Sequence, residues 1–149
     1  MKKCALALAA LTASTGSALA GGIDRSGTPI DIIFEDGNYA TLSYGHADPS
    51  LTGVDLTGRG TGNIAATFGI VGAGLKLDIA DNVSLAFIFD EPYGVDVEYG
   101  PESALLGGTL ADAESYGITT LVRYQATDRI SVYGGPRFVR AKGQIDLGG

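Results

Sequence analysis

The chain has 149 residues, a formal net charge of −7 at pH 7 and 23 glycines. So acidic a chain is poorly suited to bind nucleic acid, because the phosphate backbone repels it. The high glycine content disfavours a helical protein and suits strands that are joined by turns. Length and composition therefore argue against a nucleic-acid-binding role and favour an all-β chain.

The first twenty residues have the pattern of a bacterial export signal. Lys2 and Lys3 provide a basic start, residues 5–11 form a short apolar core, and residues 18–20 read Ala-Leu-Ala, a small-x-small cleavage site. The apolar core is too short to cross a bilayer as a helix. Cys4 precedes this core, so we expect it to be removed with the signal, which leaves no cysteine for a disulfide.

Residues 21–38 follow as a segment without periodicity that contains glycine, proline and charged side chains. The segment is too polar for a strand and too short for a domain. We predict that it is a plug that fills the lumen of a barrel, with a flexible arm as the alternative. Residues 39–149 are then the barrel part of the chain.

Alternating apolar and polar residues predict five strands in that part. They cover residues 38–47, 67–79, 83–89, 116–124 and 130–138, and are called strands one to five. Short turns at residues 80–82 and 127–129 join strands two to three and four to five, which is a hairpin signal. The other two connections are long. Short turns at one end and long loops at the other are typical of an antiparallel outer-membrane β-barrel.

The alternation also assigns a face to each side chain. Strands two to five should turn these apolar residues outward to lipid: Val71, Ala73, Leu75, Leu77, Ile79, Val83, Leu85, Phe87, Phe89, Tyr116, Ile118, Val122, Tyr124, Ile130, Val132 and Phe138. Tyr116 and Tyr124 stand near opposite ends of strand four, as aromatic girdles require. A soluble sandwich or barrel has the same period and is the alternative.

Five strands are fewer than a closed barrel needs. Bacterial single-chain barrels have about eight strands or more, and an open sheet edge cannot face lipid. We therefore expect an N-terminal fragment of a longer barrel.

Pro92, Tyr93 and Gly94 are the most suggestive local feature, because they follow strand three without a clear break. Proline removes a hydrogen-bond donor from the sheet and glycine permits a bend, so these residues predict a gap in the barrel wall. Backbone without hydrogen bonds is tolerated in a membrane only where it lines a cavity. The alternative is a strand end with an ordinary turn.

We expect no enzyme, no metal and no cofactor. His46 is the one histidine, so an outer-membrane lipase, the enzymatic alternative, could draw only on this residue. Several acidic residues between strands three and four are predicted to lie in a solvated loop: Asp96, Glu98, Glu102, Asp112 and Glu114.

Several stretches resemble the N-terminal part of the FadL-type outer-membrane transporters of long-chain fatty acids and other hydrophobic compounds. They are Gly-Ile-Asp-Arg-Ser-Gly at 22–27, Phe-Glu-Asp-Gly-Asn-Tyr at 34–39, Phe-Asp-Glu-Pro-Tyr-Gly at 89–94, Gly-Gly-Thr at 107–109, and Ser-Val-Tyr-Gly-Gly at 131–135 with Arg-Ala-Lys at 140–142. The resemblance covers nearly all of the mature chain.

The resemblance implies a fourteen-stranded, monomeric barrel in the outer membrane of a Gram-negative bacterium, closed by an N-terminal plug. It implies passive uptake of hydrophobic small molecules, which leave sideways into the outer-membrane lipid through a kink in strand three, where Pro92, Tyr93 and Gly94 fall. A small structural or adhesive barrel without transport is the alternative function.

Two features depart from the family. An Asn-Pro-Ala motif is absent between Gly22 and Tyr44, and the cationic residue expected past strand five is replaced near Ile145 and Asp146. Arg137 is then the candidate partner for a substrate carboxylate.

Overall fold

The computed structural model describes residues 24–101, 103 and 106–147, so the predicted export signal and Cys4 lie outside the described residues. These residues form a short 3-10 helix, Ile30–Phe34, and nine strands. The strands are β1 Tyr39–Ala47, β2 Thr52–Val54, β3 Gly60–Asn63, β4 Phe68–Ala80, β5 Val83–Asp90, β6 Gly94–Glu98, β7 Leu110–Thr127, β8 Ile130–Gly134 and β9 Arg137–Asp146. In the described part of the chain, no helix has the length and apolar character needed to cross a membrane.

Seven of the strands form one antiparallel sheet. β1 pairs with β4, β4 with β5, and β5 with β7. The long strand β7 also pairs with β6 beyond β5, and with β8 and β9 along its other side. The two predicted hairpins, β4–β5 and β7–β8, are therefore confirmed, as is the all-β antiparallel fold. Within the described residues the sheet is open, because β1 at one edge and β8 with β9 at the other have no further strand partner.

The predicted strand three corresponds to β5, and β6 follows it end to end along β7. Asp90 pairs with Gly117, and the next paired residue, Gly94, lies opposite Glu114. Residues 91–93 thus face only two residues of β7, which is the geometry of a β-bulge. Proline in this stretch cannot donate to the ladder, so the sequence itself favours an interruption here.

One face of the sheet is covered by the N-terminal segment, residues 24–38, and is called the covered face. Ile32 and Ile33 of the 3-10 helix are buried against Ala86, Ile88 and Leu121. The helix approaches so closely that a Cβ at Gly74 would overlap the Ile32 side chain. The same face carries buried polar side chains, namely Lys76, Ser84, Asp90, Ser115 and Thr119. It is the face that alternation assigned to the lumen.

The opposite face is apolar and exposed, and is called the apolar face. It carries the outward residues predicted above together with Leu42 and Tyr44 of β1. Leu42 is 80% exposed and Phe138 is 61% exposed. From residue 83 to 89 on β5 and from 116 to 124 on β7, every side chain on this face is uncharged. Charges begin at Glu114 on β7 and at Arg140, the partner of Tyr116, on β9.

The structure corrects the prediction for the acidic stretch. Asp96 and Glu98 lie in β6, and Asp112 and Glu114 lie in β7, whereas the sequence predicted a solvated loop. The alternation was missed because β6 is only five residues long and because the apolar side chains at the start of β7 are mostly alanines. The first long loop also contains structure, since β2 and β3 form a small hairpin of their own.

Candidate functional site

An opening separates the first residues of β4 from β6 and from residues 91–93, which follow the predicted strand three. Pairing between β4 and β5 ends at Ala73 and Phe89, although β4 continues through residues 68–72. The carboxylate of Glu91 accepts a hydrogen bond from the Val71 amide at 2.9 Å, in place of a backbone ladder. The space between residues 68–72 and residues 91–96 is called the strand-three gap.

The N-terminal segment occupies the strand-three gap. Asp24 forms an isolated antiparallel bridge with Tyr93, and the Arg25 amide donates to the Pro92 carbonyl at 2.8 Å. The N-terminal segment therefore supplies the backbone pairing with residues 92 and 93 that β4 does not supply. Residues 24 and 25 act as a short replacement strand for the interrupted stretch.

A serine of β7 supplies hydrogen bonds to the interrupted stretch from the side of β7. The Ser115 hydroxyl accepts a hydrogen bond from the Tyr93 amide at 2.8 Å and lies 2.7 Å from the Tyr93 carbonyl oxygen, to which it donates. Ser115 is buried. Because a buried backbone group without a partner is costly, this hydroxyl stabilises the bulge.

The side chain of Arg25 spans the strand-three gap. Its guanidinium forms an ion pair with Asp96 of β6 and lies over the Phe68 ring of β4, with 4.0 Å between Cζ and the ring centroid. The Arg25 side chain is 12% exposed. A Cβ at Gly94 would overlap the guanidinium, so a glycine at this position leaves the room that Arg25 fills. One side chain thus connects both walls of the gap.

A pair of carboxyl groups lies next to this arginine, beyond the end of the uncharged region. Asp96 stands directly opposite Asp112 in the β6–β7 register. The hydrogen bond with Asp96 raises the pKa of Asp112 above its ordinary value, and partial desolvation of the carboxyl and the charge of Asp96 act in the same direction. Arg25 opposes this shift. The arginine therefore compensates a local concentration of negative charge.

A cavity of about 410 Å³ lies at the strand-three gap. Its lining combines aromatic and charged side chains, including Phe89, Glu91, Tyr93, Tyr116, Arg140 and Lys142. Phe89 and Tyr116 belong to the apolar face, so the cavity adjoins that face. It offers both an apolar wall and cationic groups.

The structure brings together three of the four predicted site residues. Pro92, Tyr93 and Gly94 all lie at the strand-three gap, as described above. Arg137 lies on the covered face, where its guanidinium forms an ion pair with Asp90 at 2.9 Å. It also contacts the hydroxyl of Thr28 in the N-terminal segment. Arg137, the predicted partner for a substrate carboxylate, is thus already paired with a carboxylate of the chain itself.

Sequence reasoning missed the roles of Arg25 and Ser115. Arg25 and Asp96 are 71 positions apart, and no periodicity connects an arginine in an irregular segment to a strand residue. Ser115 lies in a stretch whose strand character the acidic neighbours concealed.

Comparisons with known proteins identify no relative of this chain. No protein-family model matches it, and neither the curated proteins nor the solved structures include a match.

Proposed function

We propose that the described strands form part of a FadL-type outer-membrane barrel that takes up hydrophobic molecules. The cargo would be long-chain fatty acids or similar compounds. Transport would be passive, and cargo would leave sideways through the strand-three gap. The apolar face would contact lipid, and the N-terminal segment would be the plug inside a larger barrel.

The distribution of side chains over the two faces supports a membrane setting. The apolar face carries no charge on β1, β4, β5 and β8, on residues 116–124 of β7 and at Phe138 of β9, whereas lysine, aspartate and arginine side chains lie on the covered face. Soluble monomers rarely expose a contiguous apolar surface of this extent. A barrel with a lipid-facing exterior and a polar interior has this arrangement.

The strand-three gap is the observation that carries the transport proposal. Unpaired backbone at membrane depth is tolerated only where protein or a cavity accounts for it. Here the N-terminal segment fills the opening with backbone contacts from residues 24–26 and with the side chains of Arg25 and Ser26. Sideways exit also suits an apolar cargo, since each CH₂ group that enters lipid gains about 0.8 kcal/mol. The segment would have to leave the gap for cargo to pass.

A reversible disulfide across the strand-three gap tests this proposal. Asp24 and Tyr93 are direct antiparallel partners, so their Cα atoms lie within the range that a disulfide spans. The variant Asp24→Cys/Tyr93→Cys should lock the N-terminal segment in place. The matched control, Leu42→Cys/Ala73→Cys, joins partners of the β1–β4 ladder instead.

Uptake of a fluorescent long-chain fatty acid is measured in cells that produce each variant, before and after a reductant is added. We expect the oxidised gap variant to lose most of its uptake and to regain it on reduction, while the control variant keeps its uptake throughout. Full uptake by a completely oxidised gap variant would contradict exit through the gap. No uptake above that of cells without the protein would contradict transport altogether and favour a structural or adhesive barrel.

A further inference from the structure

Two cations follow the end of the apolar face on the edge strand β9. Arg140 pairs with Tyr116 and Lys142 pairs with Glu114 in the β7–β9 register. Being two positions apart on one strand, the two cations point to the same side of the sheet as Phe138. They therefore stand directly beyond the uncharged surface.

Neither cation is neutralised within the described part of the chain. The ion pairs found there involve Arg25, Lys76 and Arg137, each with an aspartate within 4.0 Å. Arg140 and Lys142 have no carboxylate at that distance. Both side chains are exposed, and both line the cavity of about 410 Å³ at the strand-three gap. Two cations that form no ion pair thus face one concave surface, which Glu91 and Glu114 also line.

The other groups of this cavity determine what it can bind. Tyr93 and Tyr116 provide aromatic surface and hydroxyl groups at the boundary with the apolar face. The carboxylate of Glu91 is already held by the Val71 amide. Glu114 is the acidic group opposite Lys142, so it should weaken the binding of an anion without abolishing it.

We propose that Arg140 and Lys142 bind the phosphate of an anionic lipid head group, whose acyl chains lie on the adjoining apolar face. The inference rests on the proposed function in one respect, namely that the apolar face contacts lipid. Arginine offers paired donors to phosphate oxygens and lysine adds a point charge. This end of the sheet carries the long connections, which in outer-membrane barrels lie on the extracellular side. The lipid would therefore belong to the outer leaflet.

Binding of short-chain lipids by the purified protein in neutral detergent tests the assignment. The probes are dioctanoyl phosphatidic acid, dioctanoyl phosphatidylcholine with the same chains, and inorganic phosphate. The variants are Arg140→Gln/Lys142→Gln, Glu114→Gln, and the control Arg129→Gln, which removes an exposed cation at the opposite end of the sheet.

We expect the native protein and the Arg129 control to bind phosphatidic acid at least tenfold more tightly than phosphatidylcholine. The double variant should lose that tenfold preference, and Glu114→Gln should strengthen phosphatidic acid binding about threefold. Equal binding of both lipids by the native protein, or an unchanged preference in the double variant, would overturn the site. Equally tight binding of inorganic phosphate would overturn its assignment to a lipid. Because no uptake is measured, failure here is distinct from failure of transport.

Discussion

Replacing Arg25 by alanine should weaken the binding of the N-terminal segment in the strand-three gap. The substitution removes the ion pair with Asp96 and the contact with the Phe68 ring, and it leaves Asp96 beside Asp112 without compensation. The backbone contact between residue 25 and Pro92 remains available to alanine. The segment should therefore still bind the gap, but less tightly.

The magnitude follows from three contributions. A hydrogen bond to a charged group contributes about 1.5–3 kcal/mol, and a cation–π contact contributes about 0.5–2 kcal/mol. Against them, the buried Nε of Arg25 has no hydrogen-bond partner among the described residues, which costs about 1–3 kcal/mol. A net loss of about 2 kcal/mol corresponds to a roughly 30-fold change in the equilibrium between closed and open gap.

Amide hydrogen exchange measures this change directly. The amide of residue 25 donates to the Pro92 carbonyl at 2.8 Å in the closed gap, so its exchange reports opening. In Arg25→Ala we expect this amide to exchange about 30-fold faster. Arg25→Lys should give an intermediate value, because lysine keeps the charge but not the planar group. The control Arg59→Ala removes an exposed arginine from the β2–β3 hairpin region and should change nothing at the gap. Unchanged exchange in Arg25→Ala would refute the closing role of Arg25.

Three further predictions concern the two faces and the acidic pair. Phe87→Arg, near the middle of the apolar face, should lower the free energy of unfolding in a bilayer by about 2–4 kcal/mol, as measured by urea titration in lipid vesicles. Gly74→Val should cost about 1–3 kcal/mol in the same titration, because the added side chain displaces Ile32; equal stability would contradict the packing. The pKa of Asp112 is raised in the folded protein, so its favourable contribution is present at low pH and is lost as pH rises through that pKa. Asp112→Asn should therefore be more stable than the native protein at neutral pH, and the difference should vanish in acid; a pH-independent difference would contradict the role of Asp96.

Period-two alternation was sufficient where one face of a strand is apolar and the other is not. It identified β4, β5 and the second half of β7 and separated their two faces, because the outward face there carries no charge, although Ile88 and Leu121 on the covered face are apolar as well. Proline at position 92 marked the interruption for a local reason, namely the missing hydrogen-bond donor.

Alternation failed where the alternating run is short or its apolar side chains are small. β6 alternates Val95 and Val97 with Asp96 and Glu98 over only five residues, and the first residues of β7 alternate alanine with Asp112 and Glu114. The sequence also offered no signal for contacts between distant segments. Arg25 inserts between β4 and β6, and Arg137 forms an ion pair with Asp90 and contacts Thr28. Both arrangements depend on how the N-terminal segment lies across the sheet, and local sequence patterns do not contain that information.

Photo-labelling with a diazirine-bearing long-chain fatty acid tests passage through the strand-three gap most directly. Labelled residues are mapped by mass spectrometry in cells that produce the native protein and in cells that produce oxidised Asp24→Cys/Tyr93→Cys. Phe138, on the apolar face, serves as the internal reference for probe dissolved in lipid. We expect labelling of Phe68 to exceed that of Phe138 in the native protein and to fall several-fold in the locked variant, while Phe138 is labelled equally in both. Labelling of Phe68 that is insensitive to the lock would contradict passage through the gap.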